Sequence, residues 1–295
     1  MNGEPTLVWR RARVGGRAAP YGLVGEGLPV LFLHGWGLGH QTYRSVLQRI
    51  AAHGAQVWAP ALPGFSGTAD LPPALFSFAG YARWTAGFLD AVELDEPAVV
   101  VGHSFGGGVA IQLAHDFRER VRSLVLVNSI GGSVWQRGNR LHAIADRPLW
   151  DWGLHFPSDI WPLRQATRVM PVVLSDAVPN LMRNPRAFVK VANLARRADL
   201  RAELEEIRAR ETPVTVLWAE RDGIIPRASF DAICTAVGSV GRVVPGSHSW
   251  LLADPHVFGE VITNDLDVAR QARAAELAKP AARRRRHARE AESLP

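Results

Sequence analysis

Val101-Gly102-His103-Ser104-Phe105-Gly106-Gly107-Gly108 is the stretch on which the reading of this chain turns. It follows the apolar, β-branched run 98–101 and opens a helical pattern over 104–117. The sequence therefore predicts a strand that bends sharply into a helix at Ser104, the context in which a G-x-S-x-G pentapeptide carries meaning. Such a bend strains the backbone at Ser104 and lifts its hydroxyl above the end of the strand. It requires glycine at 102 and 106, where side chains would collide. The N–H groups that follow lie at a helix N-terminus, where negative charge is favoured.

The runs 28–33, 56–60, 121–127 and 214–218 share the character of 98–101: short, apolar and β-branched. Strands of this kind belong to a parallel sheet covered on both faces. Helical patterns at 42–52, 77–92 and 104–117 lie between them. A β-α-β alternation with right-handed crossovers gives an α/β fold, a mostly parallel sheet with helices on both faces. Sites in such sheets lie beyond the carboxyl ends of the strands. Two alternating stretches, 7–14 and 18–24, read as an opening hairpin around Gly15-Gly16, and 242–244 reads as the last strand. Between 132 and 210 no strand run occurs; this stretch carries Trp135, Trp150, Trp152, Trp161 and several prolines, then a helical pattern over 185–210. It reads as a helical lid inserted over the strand ends. The expected organisation is a core of 1–131 and 211–269, a lid of 132–210, and a basic tail of 270–295. One more helix is expected from Pro255 to about Ala269. The tail is rich in Ala, Arg and Glu with almost no apolar face, so it is expected to be frayed or disordered.

With 295 residues, 47% hydrophobic and 21% charged, the chain has the composition of one large domain with an insertion. That excludes a disordered, collagen-like or disulfide-scaffold protein. A single cysteine, Cys234, cannot form an internal disulfide. The first 16 residues carry Arg10, Arg11 and Arg13 and no apolar core of a signal peptide, and no apolar run approaches the roughly 18 residues that span a bilayer. A soluble, cytoplasmic protein is expected. The net charge of +6 is concentrated at the end: from Arg270 on there are eight Lys/Arg against three Glu, which leaves 26 basic against 25 acidic residues in the body. A nucleic-acid-binding domain carries its charge on a folded surface, so no nucleic-acid partner is expected. For the tail, with Arg283-Arg284-Arg285-Arg286, a solubilising extension is favoured over weak contact with an anionic surface.

A nucleophilic serine needs a base, and the base needs an orienting acid. His248 lies in Pro245-Gly246-Ser247-His248-Ser249-Trp250, directly after the strand at 242–244. Asp222 lies in Glu220-Arg221-Asp222-Gly223-Ile224-Ile225-Pro226, directly after 214–218. Both then share the carboxyl edge of the sheet with Ser104, in the chain order Ser, Asp, His. In Leu31-Phe32-Leu33-His34-Gly35-Trp36-Gly37, Gly35 lets the backbone approach that edge. The N–H groups of Trp36 and Phe105 are the candidate oxyanion donors, each contributing about 3 kcal/mol to a developing anion. Trp36 also suits an aromatic wall. His34 and His103 read as structural histidines. The chemistry requires no metal and no cofactor.

Taken together, the turn at Ser104, the His34-Gly35-Trp36 loop, Leu62-Pro63-Gly64-Phe65-Ser66-Gly67, Asp222 and His248 make the chain similar to the α/β-hydrolase superfamily over about residues 7–269. The resemblance implies a serine hydrolase, carboxylesterase- or lipase-like, that cleaves a small-molecule carboxylic ester or thioester with a hydrophobic acyl group through an acyl-enzyme. Dehalogenases and epoxide hydrolases of this fold use an aspartate where Ser104 stands, and the lid has none of the tyrosines of the latter, the three being Tyr21, Tyr43 and Tyr81. Meta-cleavage-product hydrolases usually carry Gly-Asn-Ser at the turn, whereas this chain has Gly102-His103-Ser104. A C–C hydrolase of that type is thus an alternative, as is a non-catalytic ligand-binding protein. The stretch His34-Gly35-Trp36-Gly37-Leu38 is more like carboxylesterases of the pimeloyl-ester type. The loop Ala61-Leu62-Pro63-Gly64 lacks the aspartate usual before Pro-Gly, a structural residue in the family. Trp36, Trp135, Trp150, Trp152 and Trp161 are the candidates to line an acyl pocket, against the alternative that the lid tryptophans simply pack it onto the core. The lid arginines Arg137, Arg140, Arg147, Arg164, Arg168 and Arg183 are read as solvated.

Overall fold

Strands that are apolar on both faces need cover on both faces, and this requirement organises the molecule. The computed structural model describes residues 4–137, 140–144, 147 and 163–278. Strands β1 (Val8–Val14) and β2 (Arg17–Gly25) form the opening hairpin. Then come β3 (Leu28–Leu33), β4 (Ala55–Pro60), β5 (Ala98–His103) and β6 (Val121–Val127). A two-stranded ribbon, β7 (Val134–Arg137) and β8 (Arg140–Ala143), stands apart, and β9 (Val214–Ala219) and β10 (Arg242–Val244) complete the main sheet. The sheet order is β1-β2-β4-β3-β5-β6-β9-β10. The β1–β2 and β2–β4 pairings are antiparallel, and every pairing from β4 through β10 is parallel.

Every residue of β3 and β5 is buried. On one face Leu31, Leu33 and Val100 pack with Phe88 of α2 (Phe78–Ala91) and with Val109 and Leu113 of α3 (Phe105–Asp116). On the other, Val30, Phe32 and Val99 meet Leu47 and Ile50 of α1 (Arg44–Ala52) and Ile262 and Leu266 of the C-terminal helix. The period-two alternation along each strand thus feeds two separate cores.

Between β6 and β9 lies an insertion with three described helices: α4 (Leu163–Arg183), α5 (Pro185–Arg196) and α6 (Arg201–Ala209). After β9 come α7 (Arg227–Val237), the single turn α8 (Trp250–Ala253) and α9 (Pro255–Ala278). The structure departs from the sequence reading in several places. The β7–β8 ribbon occupies a stretch expected to hold no strand; Val134 to Arg137 pair antiparallel with Arg140 to Ala143. Helix α4 was hidden by Pro171 and Pro179, which each remove a backbone donor and read as breaks, yet the helix carries both. The expected helix over 185–210 is split because the Leu200 N–H is claimed by Gly131 O at 2.9 Å. Helix α7 was not anticipated. Finally, α9 runs past the boundary at Ala269, and ion pairs fasten the extension: Arg273 grips both oxygens of Glu96, and Arg122 meets Glu276 at 2.9 Å. The tail beyond Ala278 lies outside the described residues. None of the described helices is long and apolar enough to cross a membrane.

A methyl group at Gly102 would sit 2.6 Å from the carbonyl oxygen of Gly106, a backbone contact with no slack. Gly102→Ala is expected to cost upwards of about 3 kcal/mol in urea unfolding. Gly87→Ala on α2, where the new methyl meets only Val14 at 3.4 Å, is expected to be neutral or slightly stabilising.

Candidate active site

The parallel strands deliver their following loops to one edge of the sheet. Strand β5 ends at His103, and Ser104 adopts φ 53° and ψ −115°, a region that side-chain-bearing residues avoid. The strain is held by backbone bonds: Ser104 N–H donates to Val127 O at 3.0 Å, and Ser104 O accepts from Gly107 at 3.0 Å and Ile130 at 3.3 Å. Ser104 caps α3, so the Phe105 N–H belongs to the first helical turn, whose donors have no partner within the helix.

Strand β3 delivers His34, Gly35 and Trp36 beside it. A methyl group on Gly35 would lie 3.0 Å from His103 Nδ1, 3.2 Å from the Tyr43 hydroxyl and 3.4 Å from Ser104 Cβ. Only a bare backbone fits so close. His34 is fully buried. Its Nε2 accepts from the Leu62 N–H at 2.9 Å, so Nδ1 carries the proton and donates to Gly35 O at 2.9 Å. Burial lowers its pKa to about 4, which keeps it neutral and structural, as its sequence position suggested.

Strands β9 and β10 deliver the acid and the imidazole. Asp222 is buried, and its Oδ1 accepts from the N–H groups of Ile224 and Ile225, both at 2.8 Å. Its Oδ2 accepts from His248 Nδ1 at 2.8 Å and from Asn128 Nδ2. With Nδ1 donating to a carboxylate, Nε2 of neutral His248 is left as the basic nitrogen. Asn128 follows β6 with φ 45°, and its own Oδ1 accepts from Trp250 Nε1 at 2.9 Å. Sequence reasoning missed Asn128; its only signal was its place directly after a parallel strand.

His103 connects these loops. Its Nε2 lies 3.1 Å from the backbone oxygen of His248 and its Nδ1 2.8 Å from the Tyr43 hydroxyl, which accepts from Gly35 N–H at 3.1 Å. A carbonyl only accepts, so Nε2 carries the proton and Nδ1 accepts from the tyrosine. The chain of donors therefore runs Gly35 to Tyr43 to His103 to His248 in one direction. Burial, with the neighbouring His248 adding to it, holds the His103 pKa well below the usual histidine range. Its ring centroid is 5.0 Å from that of His248.

The insertion is fastened to the same edge. Asp176 of α4 accepts from the Gly39 N–H at 2.7 Å and the Thr42 hydroxyl at 2.5 Å; Asn180, one turn on, donates to Gly37 O at 3.1 Å and accepts from Ser66 N–H at 2.9 Å. Trp36 donates its indole N–H to Phe188 O at 2.8 Å and packs on the Phe188 ring at 4.3 Å. Trp135 packs against the core, 5.7 Å from the His142 ring. Trp150, Trp152 and Trp161 lie outside the described residues. One arginine expected in solvent is buried: Arg147 donates to the carbonyls of Gly223 at 3.0 Å and Ile224 at 3.1 Å, beside Asp222, with its guanidinium 5.8 Å from the Trp135 ring. The structure thus bonds Asp222 to His248 and sets the Gly35–Trp36 loop against Ser104. What surrounds them is a carboxylate-oriented imidazole, a strained serine and a helix N-terminus, the parts of nucleophilic acyl chemistry.

Comparison with known proteins agrees with this fold. The sequence profile of the Alpha/beta hydrolase family matches residues 30–261. The chain is 30% identical over 250 residues to the pimeloyl-[acyl-carrier protein] methyl ester esterase of Aromatoleum aromaticum, covering 77% of this chain and 93% of that one. It is 37% identical over 113 residues to the 2-hydroxy-6-oxo-2,4-heptadienoate hydrolase of Pseudomonas putida, covering 37% and 40% respectively. Among solved structures, a thermophilic esterase from Thermogutta terrifontis superposes with a TM-score of 0.68 at 18% identity, over 89% of this chain and 99% of that one.

Two predictions follow from the buried polar groups. Tyr43→Phe removes the acceptor of a buried amide and the donor to His103; it is expected to cost about 1–3 kcal/mol in urea unfolding. The histidines also set a pH dependence. Unfolded, His34 and His40 take up protons near 6.5; folded, burial lowers both to about 4. The unfolded state therefore binds more protons over this window, and stability falls as pH drops from about 7 to 4. Tm measured across that range should decline, and less steeply in His40→Gln. Equal slopes would contradict the assignment.

Proposed function

The chain belongs to the alpha/beta hydrolase family, and from that membership we propose that it is a serine hydrolase of carboxylic esters or thioesters with a hydrophobic acyl group. The observation that carries the proposal is the 2.8 Å bond from His248 Nδ1 to a buried, fully engaged Asp222, on the same sheet edge as the strained Ser104. In this reading His248 Nε2 takes the Ser104 proton as the hydroxyl attacks the acyl carbon. The Trp36 and Phe105 amides hold the tetrahedral oxyanion. His248 then protonates the leaving alcohol or thiol, and water repeats the sequence on the acyl-enzyme. Asp222 fixes the imidazole tautomer and stabilises the imidazolium. Residues 132–210 serve as the lid over the strand ends, and Trp36 supplies part of the wall around the acyl group.

The Aromatoleum relative, named as a methyl ester esterase, supports the ester reading. A second reading, hydrolysis of a C–C bond in a meta-cleavage product, is supported by the Pseudomonas relative over a shorter span. Both readings use the same serine, so the substrate decides between them.

A p-nitrophenyl ester series from acetate to palmitate is expected to be hydrolysed with a maximum at one chain length. Ser104→Ala is expected to lower kcat at least about a thousandfold while circular dichroism stays unchanged. Undiminished hydrolysis in that variant would sink the mechanism. Silence across the series, together with Ser104-dependent bleaching of a 2-hydroxy-6-oxo-dienoate, would select the C–C reading.

A further inference from the structure

Asp222 is buried, and the N–H groups of Ile224 and Ile225 hold its Oδ1 at 2.8 Å each. An N–H shares one rigid peptide plane with the carbonyl of the preceding residue and points the opposite way. The carbonyls paired in this way with the two amides are those of Gly223 and Ile224. Arg147 bonds both of them, Nη2 to Gly223 O at 3.0 Å and Nη1 to Ile224 O at 3.1 Å. One guanidinium therefore grips the far ends of the same two peptide groups whose near ends bond the carboxylate. Arg147 is 4% exposed, and its guanidinium lies over the Trp135 ring at 5.8 Å. Its own backbone is fixed as well: the N–H donates to Ile144 O at 3.0 Å, and the oxygen accepts from Arg196 of α5 at 3.4 Å.

A positive charge at a carbonyl polarises the peptide group and strengthens the bond that its N–H donates. Here two peptide dipoles lie in parallel between a cation and an anion, each with its carbonyl toward the guanidinium. Holding two carbonyls does not require charge, because a neutral amide also offers two donors. A buried guanidinium carries a desolvation cost that such an amide avoids, and what it adds is a field at the carboxylate. The other groups about the Asp222–His248 pair are Asn128, which is uncharged, His103, which burial holds neutral, Arg227 of α7, which pairs with Asp231, and the exposed Glu220 and Arg221. We propose that Arg147 is a positioning residue for the candidate catalytic acid: acting through these two peptide groups, it keeps the Asp222 carboxylate ionised and aligned on His248 Nδ1. The effect on turnover rests on the serine-hydrolase reading; the effect on the Asp222–His248 pair is independent of the substrate. The insertion then contributes to the electrostatics of the site as well as to its cover.

The test compares the wild type with Arg147→Met, Arg147→Gln and Arg147→Lys, each checked for folding by circular dichroism. Two readouts are taken. One is the pH dependence of kcat/KM on the p-nitrophenyl ester that the wild type hydrolyses fastest. The other is the titration of His248 by NMR in protein labelled with 15N-histidine, its signal assigned with His248→Gln. The guanidinium favours the carboxylate with a neutral imidazole over the protonated pair, so without the charge the pair takes up its proton at higher pH. Arg147→Met and Arg147→Gln are expected to move the acid limb and the His248 midpoint up by about 0.5 pH unit or more. Both are expected to lower kcat at pH 7 at least about tenfold. Arg147→Lys keeps the charge with a single donor group; its midpoint is expected near that of the wild type, with part of the rate recovered. An arginine that only braces the loop would lower the rate in all three and leave the midpoint unmoved, and that result overturns the proposal. A midpoint in Arg147→Lys shifted as far as in Arg147→Gln overturns it too. Should Arg147→Met fail to fold, the contrast between Gln and Lys decides. Silence of the ester series bears on the hydrolase reading alone, since the NMR midpoints still uphold or overturn the role of Arg147.

Discussion

The whole edge depends on how closely α3 can approach the strands beneath it. Gly102 lies against the backbone of Gly106 and Gly107, and Gly106 in turn against the carbonyl of Leu33. Backbone touches backbone here, and no side chain can come between. That contact fixes where β5 stops, forces Ser104 into its positive φ, and aims the first turn of α3 at the space beside Gly35. A looser helix would relax the serine and move the amides away from it. The strain is a consequence of the packing, and the surrounding bonds to Val127, Gly107 and Ile130 keep it from being released.

A second constraint acts across the loops. Three segments far apart in sequence, around Gly35, His103 and His248, are joined by one chain of hydrogen bonds in which each group has a single allowed direction. The direction holds only while His103 is neutral, because a protonated ring has no acceptor for the tyrosine hydroxyl. Burial secures this. What burial preserves at 103 is the acceptor for Tyr43; the bond from Nε2 to the backbone oxygen of His248 needs only that proton, and the imidazole at 248 is oriented by Asp222. His248 differs by having a carboxylate against its Nδ1, so the two neighbouring rings have opposite electrostatic surroundings.

Much of this was legible because parallel strands leave a strong mark. The runs at 28–33, 121–127 and 242–244 coincide with β3, β6 and β10; β3 is buried throughout and β6 from Leu124 on, the apolar mark of strands covered on both faces. Ser104, Asp222 and His248 could be placed because each directly follows such a run. What stayed hidden was tertiary. Asn128, Tyr43, Asp176 and Arg147 belong to no motif; each matters through a partner more than 50 residues away, and only Asn128, directly after a strand, has a local mark. Helix α4 was obscured by its prolines and by polar residues facing inward, which reverses the pattern by which a surface helix is recognised. The extension of α9 past Ala269 rests on ion pairs to β6 and to the loop before β5, which no periodicity could announce.

The fastening of the insertion bears on how such a protein can change over evolutionary time. Asp176 and Asn180 hold the loop that follows β3 and the loop that follows β4, while Arg147 holds the carbonyls next to Asp222. The segment between β6 and β9 is thus not a cassette to be exchanged for that of a relative. A transplanted insertion would leave the Gly39 amide, the Ser66 amide and the Gly223 carbonyl to find new partners, at the very edge where Ser104 stands. Divergence in this lineage has to proceed by coordinated change, with the insertion and three loops of the sheet drifting together.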